Sequence, residues 1–226
     1  MLTAHVSTTY RLRTLGAFEL TADGLPIVLP RAEQRLVAYL AIRGPAPRTG
    51  VAGTLWGDLP EARALACLRT TIWRLQRRDI GLTTAGSDLI RLPADVLVDL
   101  HDLSGVAGAW RPRPSASLDL LPGWYDDWVV LERERIRLLL VHTMERSAAE
   151  ALDGADVMPA LEWALLAVRL CPLRESAHRL VVRAHLAAGN YADAKRHVDD
   201  THRLIESELG VSPSPRLREL LAGRQI

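Results

Sequence analysis

The chain has 226 residues, 48% of them hydrophobic, and a formal net charge of +1. This composition is globular and long enough for one or two buried cores, and a charge so close to neutral neither demands nor excludes a polyanionic partner. Cys67 and Cys171, the only cysteines, make neither a disulfide framework nor a metal cluster, no apolar run reaches membrane-spanning length, and the N-terminus lacks the apolar stretch of a secretory signal. A cytoplasmic chain with no membrane contact is expected.

Residues 10–15, 18–22 and 26–29 are short apolar-rich runs punctuated by Gly16 and the Asp23-Gly24 pair, a strong hairpin signal, so a small antiparallel sheet is expected first. RAEQRLVAYLAIRG then predicts a helix with Leu36, Val37, Leu40 and Ala41 on one face and a stop at Gly44-Pro45. RTGVAGTLWG predicts a short helix with Thr49 as N-cap and Gly57 as C-terminal stop. In DLPEARALACLRTTIWRLQRR, Asp58 and Glu61 have capping-box spacing and Pro60 sits in the first turn. Leu65, Leu68, Ile72 and Leu75 recur there at helical spacing, predicting a helix over 59–77. Residues 82–85 and 89–92 predict a hairpin turning at Gly86-Ser87-Asp88, and residues 96–100 one more strand.

Opposite the apolar stripe of helix 59–77 lie Arg63, Arg69, Thr70, Trp73, Arg74 and Arg77, with no acid between Glu61 and Asp79. Taken alone, this is also the pattern of an ordinary amphipathic surface helix. The flanks favour a polyanion partner, because sheet, three helices and hairpin is the order of a winged helix-turn-helix. In that fold the last helix enters the major groove and the hairpin reaches a neighbouring groove. Guanidinium groups suit the site because they pair bidentately with phosphate or a guanine edge. The expected DNA-binding set is Arg63, Arg69, Thr70 and Trp73 toward bases and Arg74 and Arg77 toward phosphates. Arg48, at the start of the preceding helix, is expected on a phosphate, and Arg91, in the wing, on backbone or minor groove. Two placements compete for Trp73: stacked on sugar and thymine methyl, or packed under the wing. Residues 1–103 carry 12 arginines and no lysine against 10 acids, net +2, so modest non-specific affinity is expected.

The run TLGAFELTADGLPIVLPRAEQRLVAYLAIR, then TLWGD, then LRTTIWRLQRR, resembles the DNA-binding half of the Streptomyces antibiotic regulatory protein family, with its OmpR-type winged helix. LLPGWYDDWVVLERERIRLLLVHTMERSAAEAL resembles the opening of the bacterial transcriptional activator domain that follows it in that family. PLRESAHRLVVRAHLAAGNYADAKRHVDDTHRLIESELGVSPSPRLREL resembles the remainder. The resemblance covers almost the whole chain, and the compact form without the ATPase module of larger members is expected. It implies binding to promoter direct repeats as paired protomers and activation by recruiting RNA polymerase.

The second half also speaks for itself. AWRPRPSAS, within residues 104–117, has the composition of an exposed linker. Residues 119–125 are turn-rich, and residues 128–151 carry a long helical pattern. Trp124, Tyr125 and Trp128 form an aromatic cluster, either a core plug at the domain junction or the wall of a ligand pocket. Ala160 and Ala194 are 34 residues apart, the tetratricopeptide period, and the same offset relates Val157 to Tyr191, Ala164 to Val198 and Leu170 to Leu204. Ala177, Leu180, Ala184 and Ala187 give the intervening helix a small-residue stripe, and residues 216–221 predict a terminal helix. Helical stacks of this kind bind other proteins rather than perform chemistry.

Neither G-x-x-x-x-G-K-[ST] nor G-x-S-x-G occurs. His178 and His185 are seven apart and His197 and His202 five apart, neither matching a helical zinc pair, so no metal, cofactor or enzymatic activity is expected. The expected fold is mainly α with a small β component. Residues 1–103 form an OmpR-type winged helix, 104–117 a linker and 118–226 a tetratricopeptide-like activator domain. The expected function is that of a sequence-specific DNA-binding regulator acting as an activator, with double-stranded DNA as partner and, as the resemblance implies, RNA polymerase. The alternative is a helical-repeat adaptor or a repressor whose winged helix serves docking or dimerisation.

Overall fold

Proline decides where the helices of the first half begin. The computed structural model describes residues 8–78, 84–86 (backbone only), 89–101 and 117–222. Strands β1 (Tyr10–Arg13), β2 (Glu19–Ala22) and β3 (Leu25–Ile27) precede helix α1 (Arg31–Arg43). The two-residue strand β4 (Ala46–Pro47), not anticipated from the sequence, leads into α2 (Arg48–Leu55), which is followed by α3 (Glu61–Arg77). Strands β5 (Thr84–Gly86), β6 (Leu89–Arg91) and β7 (Leu97–Val98) complete the first half. The three helices follow Pro30, Pro47 and Pro60, whose ψ angles are 153°, 144° and 143°, and none has a side-chain cap hydrogen bond. A proline ring pre-sets φ, lacks an N–H that a helix start does not need, and pushes the preceding residue out of the helical region.

This corrects the expected starts. Leu59 precedes Pro60 and stays outside the helix, and the Pro60 carbonyl accepts the amides of Arg63 and Ala64 at 2.8 and 3.0 Å. Glu61 is therefore the first helical residue rather than the third, the Asp58–Glu61 capping box does not form, and α3 runs from Glu61 rather than from residue 59. Thr49 lies inside α2 for the same reason, and Trp56, not Gly57, caps that helix at its end. Gly86 belongs to β5 and pairs with Leu89, so it is not part of the turn. Residues 82, 83, 87 and 88 of the expected hairpin, and residues 104–116 of the expected linker, lie outside the described residues.

The strands form two sheets, of order β3-β2-β1-β7 and β4-β6-β5. All neighbours are antiparallel except β1 and β7, which run parallel. Asp99 fastens the end of β1 just beyond β7. Its carboxylate accepts the amides of Thr14 and Leu15, both at 2.8 Å, and the Thr14 hydroxyl at 2.7 Å. Thr14 is wholly buried, and this carboxylate is what satisfies it.

The segment 117–134 packs with this first half. Leu15 bridges to Leu120, the Gly16 amide donates to the Asp119 carbonyl at 2.8 Å, and the Leu121 amide to the Thr14 carbonyl at 2.9 Å. Gly16 has φ +82°, and a Cβ there would stand 2.7 Å from the Ser117 carbonyl oxygen, so only glycine admits this approach. Leu118, Leu120, Leu121, Trp124, Trp128 and Val129 are buried. Trp124 stacks on Phe18 and carries the Arg31 guanidinium over its ring, while Trp128 meets Tyr39 edge-on. Three arginines of α1 hold the segment by its acids: Arg31 and Arg35 on Asp126 at 3.1 and 2.6 Å, and Arg43 on Glu132 at 2.8 Å. Trp124 and Trp128 are thus core residues, whereas Tyr125 is exposed. Among the described residues, 8–101 and 117–134 form one compact unit and 135–222 a second. The expected domain start at 118 falls inside the stretch that packs with the winged helix.

Helix α4 (Asp127–Asp153) contributes its first eight residues to the first unit and the rest to the second. The second unit continues with α5 (Val157–Leu170), α6 (Glu175–Ala187), α7 (Tyr191–Leu209) and α8 (Pro215–Ala222). The helix starts at 157 and 191 reproduce the 34-residue offset, and equivalent positions share burial: Ala160 with Ala194, Ala164 with Val198, Ala167 with Thr201 and Cys171 with Ile205 are all buried. In the stripe of α6, Ala177, Leu180 and Ala184 are buried and Ala187 is exposed. The architecture is mainly helical, a winged helix with small sheets followed by a helical-repeat unit.

A histidine pair crosses between α6 and α7, which spacing along a single helix did not reveal. His178 Nε2 donates to the Pro172 carbonyl at 2.7 Å, which leaves Nδ1 as an acceptor facing His197 Nε2 at 3.0 Å and the Thr201 hydroxyl at 3.0 Å. Burial, and then the neighbouring His178, push the His197 pKa down to about 4. Burial also lowers that of His178, against the opposing pull of the Pro172 carbonyl and Glu175.

Two predictions follow from this packing. Trp128→Ala should cost about 3–5 kcal/mol of stability, as for other large buried aromatics, and a fragment ending at residue 104 should melt below one ending at residue 134. Equal melting of the two fragments would mean that 117–134 adds nothing to the core. The second concerns pH. Both histidines take up a proton less readily folded than unfolded, so stability is whole above the unfolded value of about 6.5 and declines as pH falls from there toward about 4. Melting temperatures of the full chain between about pH 6.5 and 5 should fall more steeply than those of His197→Gln. Identical slopes would show that the pair does not titrate in this way.

Candidate nucleic-acid interface

At 3.6 residues per turn, the sequence of α3 divides into two half-cylinders. Ala64, Leu68, Thr71, Ile72 and Leu75 are buried against the packed first unit, in which α3 contacts both α1 and α2. Leu65 is half-buried at the margin rather than inside the stripe. The other half-cylinder, Ala62, Arg63, Ala66, Arg69, Thr70, Trp73, Arg74, Gln76 and Arg77, is exposed. Glu61 is the only acid of the helix, and it lies at the N-terminal end, where a carboxylate complements the helix dipole.

Every α3 residue expected at the site therefore lies on one accessible face. Trp73 is 53% exposed and so is not part of the core. The Arg77 guanidinium carbon stands 4.8 Å from the centroid of the Trp73 ring. The Thr70 hydroxyl donates to the Ala66 carbonyl at 3.0 Å, so its oxygen remains available as an acceptor while its proton is engaged. Among the described residues, no acidic side chain forms an ion pair with Arg63, Arg69, Arg74 or Arg77. Ala62 and Ala66 keep the face low around the larger side chains.

The two outlying residues are tied to each other through the second sheet. Arg48 opens α2 immediately after Pro47, which pairs with Leu89 across the β4–β6 ladder. Arg91, exposed, ends β6 and pairs with Thr84. The short strand β4 thus brings the start of α2 beside the wing, a link that a two-residue strand containing proline does not announce in sequence.

Two features of the face were not anticipated. Gln76 shares it with Arg69 and Trp73 at helical spacing, a signal the periodicity carries. Arg78, the next arginine after Arg77, is engaged in the fold: its guanidinium lies 3.5 Å from the carboxylate of Glu33, which is 1% exposed, and donates to the Val28 carbonyl at 3.4 Å. A buried carboxylate needs such a partner, so this pair pins the C-terminal end of α3 to the start of α1. Among the described residues, no group of three or more histidine, cysteine or acidic side chains could hold a metal ion, and no helix is long and apolar enough to cross a membrane.

The bacterial transcriptional activator domain matches residues 101–223. Regulatory protein AfsR of Streptomyces coelicolor is 30% identical over 235 aligned residues, covering 93% of this chain and 24% of that protein. Regulatory protein AfsR of Streptomyces griseus is 32% identical, covering 84% of this chain and 22% of its own length. The chain thus spans about a quarter of the length of these relatives. Among solved structures, Mycobacterium tuberculosis EmbR, in complex with a low-affinity phosphopeptide, superposes with a TM-score of 0.74 at 18% identity, covering 97% of this chain and 66% of that one. That last likeness concerns the fold.

Proposed function

The chain belongs to the bacterial transcriptional activator domain family, with the domain order of the Streptomyces antibiotic regulatory proteins, and on that premise we propose that this transcriptional regulator is a sequence-specific DNA-binding activator. The observation that carries the proposal is the exposed half-cylinder of α3, which presents four arginines and no acid around a floor of alanines. A helix fits the major groove, and small side chains at Ala62 and Ala66 let its backbone approach the base edges. Arg63, Arg69, Thr70 and Trp73 then face bases, while Arg74 and Arg77 face phosphates. Arg48 meets a phosphate at the start of α2, and Arg91 reaches backbone or minor groove from the wing.

The rest of the proposal concerns assembly. Protomers bind in pairs on direct repeats in promoters, and the helical-repeat unit offers a surface to RNA polymerase, as suits a stack of helical hairpins. The setting is the cytoplasm, and the targets include genes of secondary metabolism. No step requires a cofactor or enzymatic chemistry.

Selection of random-sequence duplexes by the full chain tests the reading. It should enrich a half-site repeated in one orientation, with affinity falling steeply as salt rises. Arg69→Ala should weaken binding to the enriched duplex by about 1–3 kcal/mol and relax preference at one base position. Failure to enrich any sequence would remove the DNA-binding role and leave the helical repeats as the working surface of an adaptor.

A further inference from the structure

Arg77 and Arg78 are neighbours with opposite fates. Arg78 is fixed by Glu33 and the Val28 carbonyl, and so belongs to the fold. Arg77 is exposed, no acid pairs with it among the described residues, and its guanidinium lies over the Trp73 ring at 4.8 Å, within cation–π range. The spacing is i to i+4, and helical side chains lean toward the N-terminus, so Arg77 leans back onto the indole by construction. The indole is not held by the core: Trp73 is 53% exposed, while Leu68, Ile72 and Leu75 supply the buried stripe without it. A large, exposed aromatic ring in the middle of a DNA-facing surface therefore has one visible task in the free protein, to restrain the arginine above it. A free arginine gives up rotamer freedom on binding, which a pre-stacked guanidinium has already given up.

We propose that Trp73 is a positioning residue for Arg77: the indole holds the guanidinium stacked and pre-ordered, so that Arg77 meets a DNA phosphate without first being immobilised. This rests on the DNA-binding reading above and changes the role of Trp73 within it, from a side chain that touches base and sugar to one that acts through its neighbour. The consequence is unusual for an uncharged residue. Removing Trp73 should weaken a charge contact without removing a charge.

The experiment measures affinity of the full chain at several salt concentrations, with the enriched duplex and with a mixed-sequence duplex of equal length, for Trp73→Ala, Trp73→Phe, Arg77→Ala and the double Trp73→Ala/Arg77→Ala. Arg77→Ala should lower the slope of log affinity against log salt by about one on both duplexes, whereas Trp73→Ala, which removes no charge, should weaken binding to both duplexes by up to about 30-fold with the slope kept. Trp73→Phe, which keeps an aromatic face, should recover most of the affinity. The double variant should bind within about twofold of the weaker single variant, since the two losses are one loss. Melting temperatures should stay within about 2 °C, as for other exposed positions. The proposal is overturned if Trp73→Ala leaves affinity intact, or if its cost multiplies with that of Arg77→Ala, because the ring then contacts DNA on its own account. It is equally overturned by a large loss of melting temperature, which would place the ring in the core. If the unaltered chain binds neither duplex, the DNA-binding reading itself fails and takes this inference with it.

Discussion

Burial of one side of α3 is the constraint from which the first unit follows. Leu68, Ile72 and Leu75 leave water against α1 and α2, and at about 1.5–3 kcal/mol for each large aliphatic side chain fully buried this is a strong orienting force. Once that side is fixed, the angular position of every other residue on the helix is fixed as well. Arg63, Arg69, Trp73, Arg74 and Arg77 are outward because the stripe is inward. The Arg78–Glu33 ion pair adds a contact at the far end of the helix, and Pro60 sets its beginning.

A second layer of constraint holds the scaffold around the helix. Asp99 satisfies the buried end of β1, and the segment 117–134 closes over that same end through Leu120, Leu121 and the approach at Gly16. The arginines of α1 that grip Asp126 and Glu132 are fold residues, although by composition they are indistinguishable from those of α3. Arginine content therefore says little here about DNA. What separates the two sets is the presence or absence of acidic partners on the same surface, which explains how a unit with so small a net charge presents a concentrated basic face.

Much of this was legible in the sequence wherever one element decides its own pattern. The stripe and the arginine face of α3 follow from 3.6-residue periodicity, and the starts of α5 and α7 follow from the 34-residue offset, because each repeat presents equivalent positions to its neighbours. The illegible parts depend on partners distant in sequence or on competition between local signals. Asp58 and Glu61 have the spacing of a cap, but the proline between them overrides it through its effect on Leu59. The histidine pair joins residues 178 and 197 on different helices, beyond the reach of any single-helix rule. Trp73 had two defensible placements in sequence, and only the completed packing of Leu68, Ile72 and Leu75 shows that the core has no need of it. The segment 117–134 lies within the stretch that matches the activator-domain family, yet its aromatic residues pack in the core of the first unit, which depends on partners distant in sequence.

The account stands on the claim that the exposed half-cylinder of α3 lies in the major groove. A photoreactive side chain at Ala66, at the centre of that face, tests it most directly, with one at Tyr125, exposed but on the segment packed beside α1, as the comparison. On the selected duplex, the probe at 66 should crosslink to base edges in the major groove within each half-site, and the probe at 125 should not. Crosslinks from 125 but none from 66, at DNA concentrations where the chain is bound, would contradict the claim and place the nucleic acid on another surface.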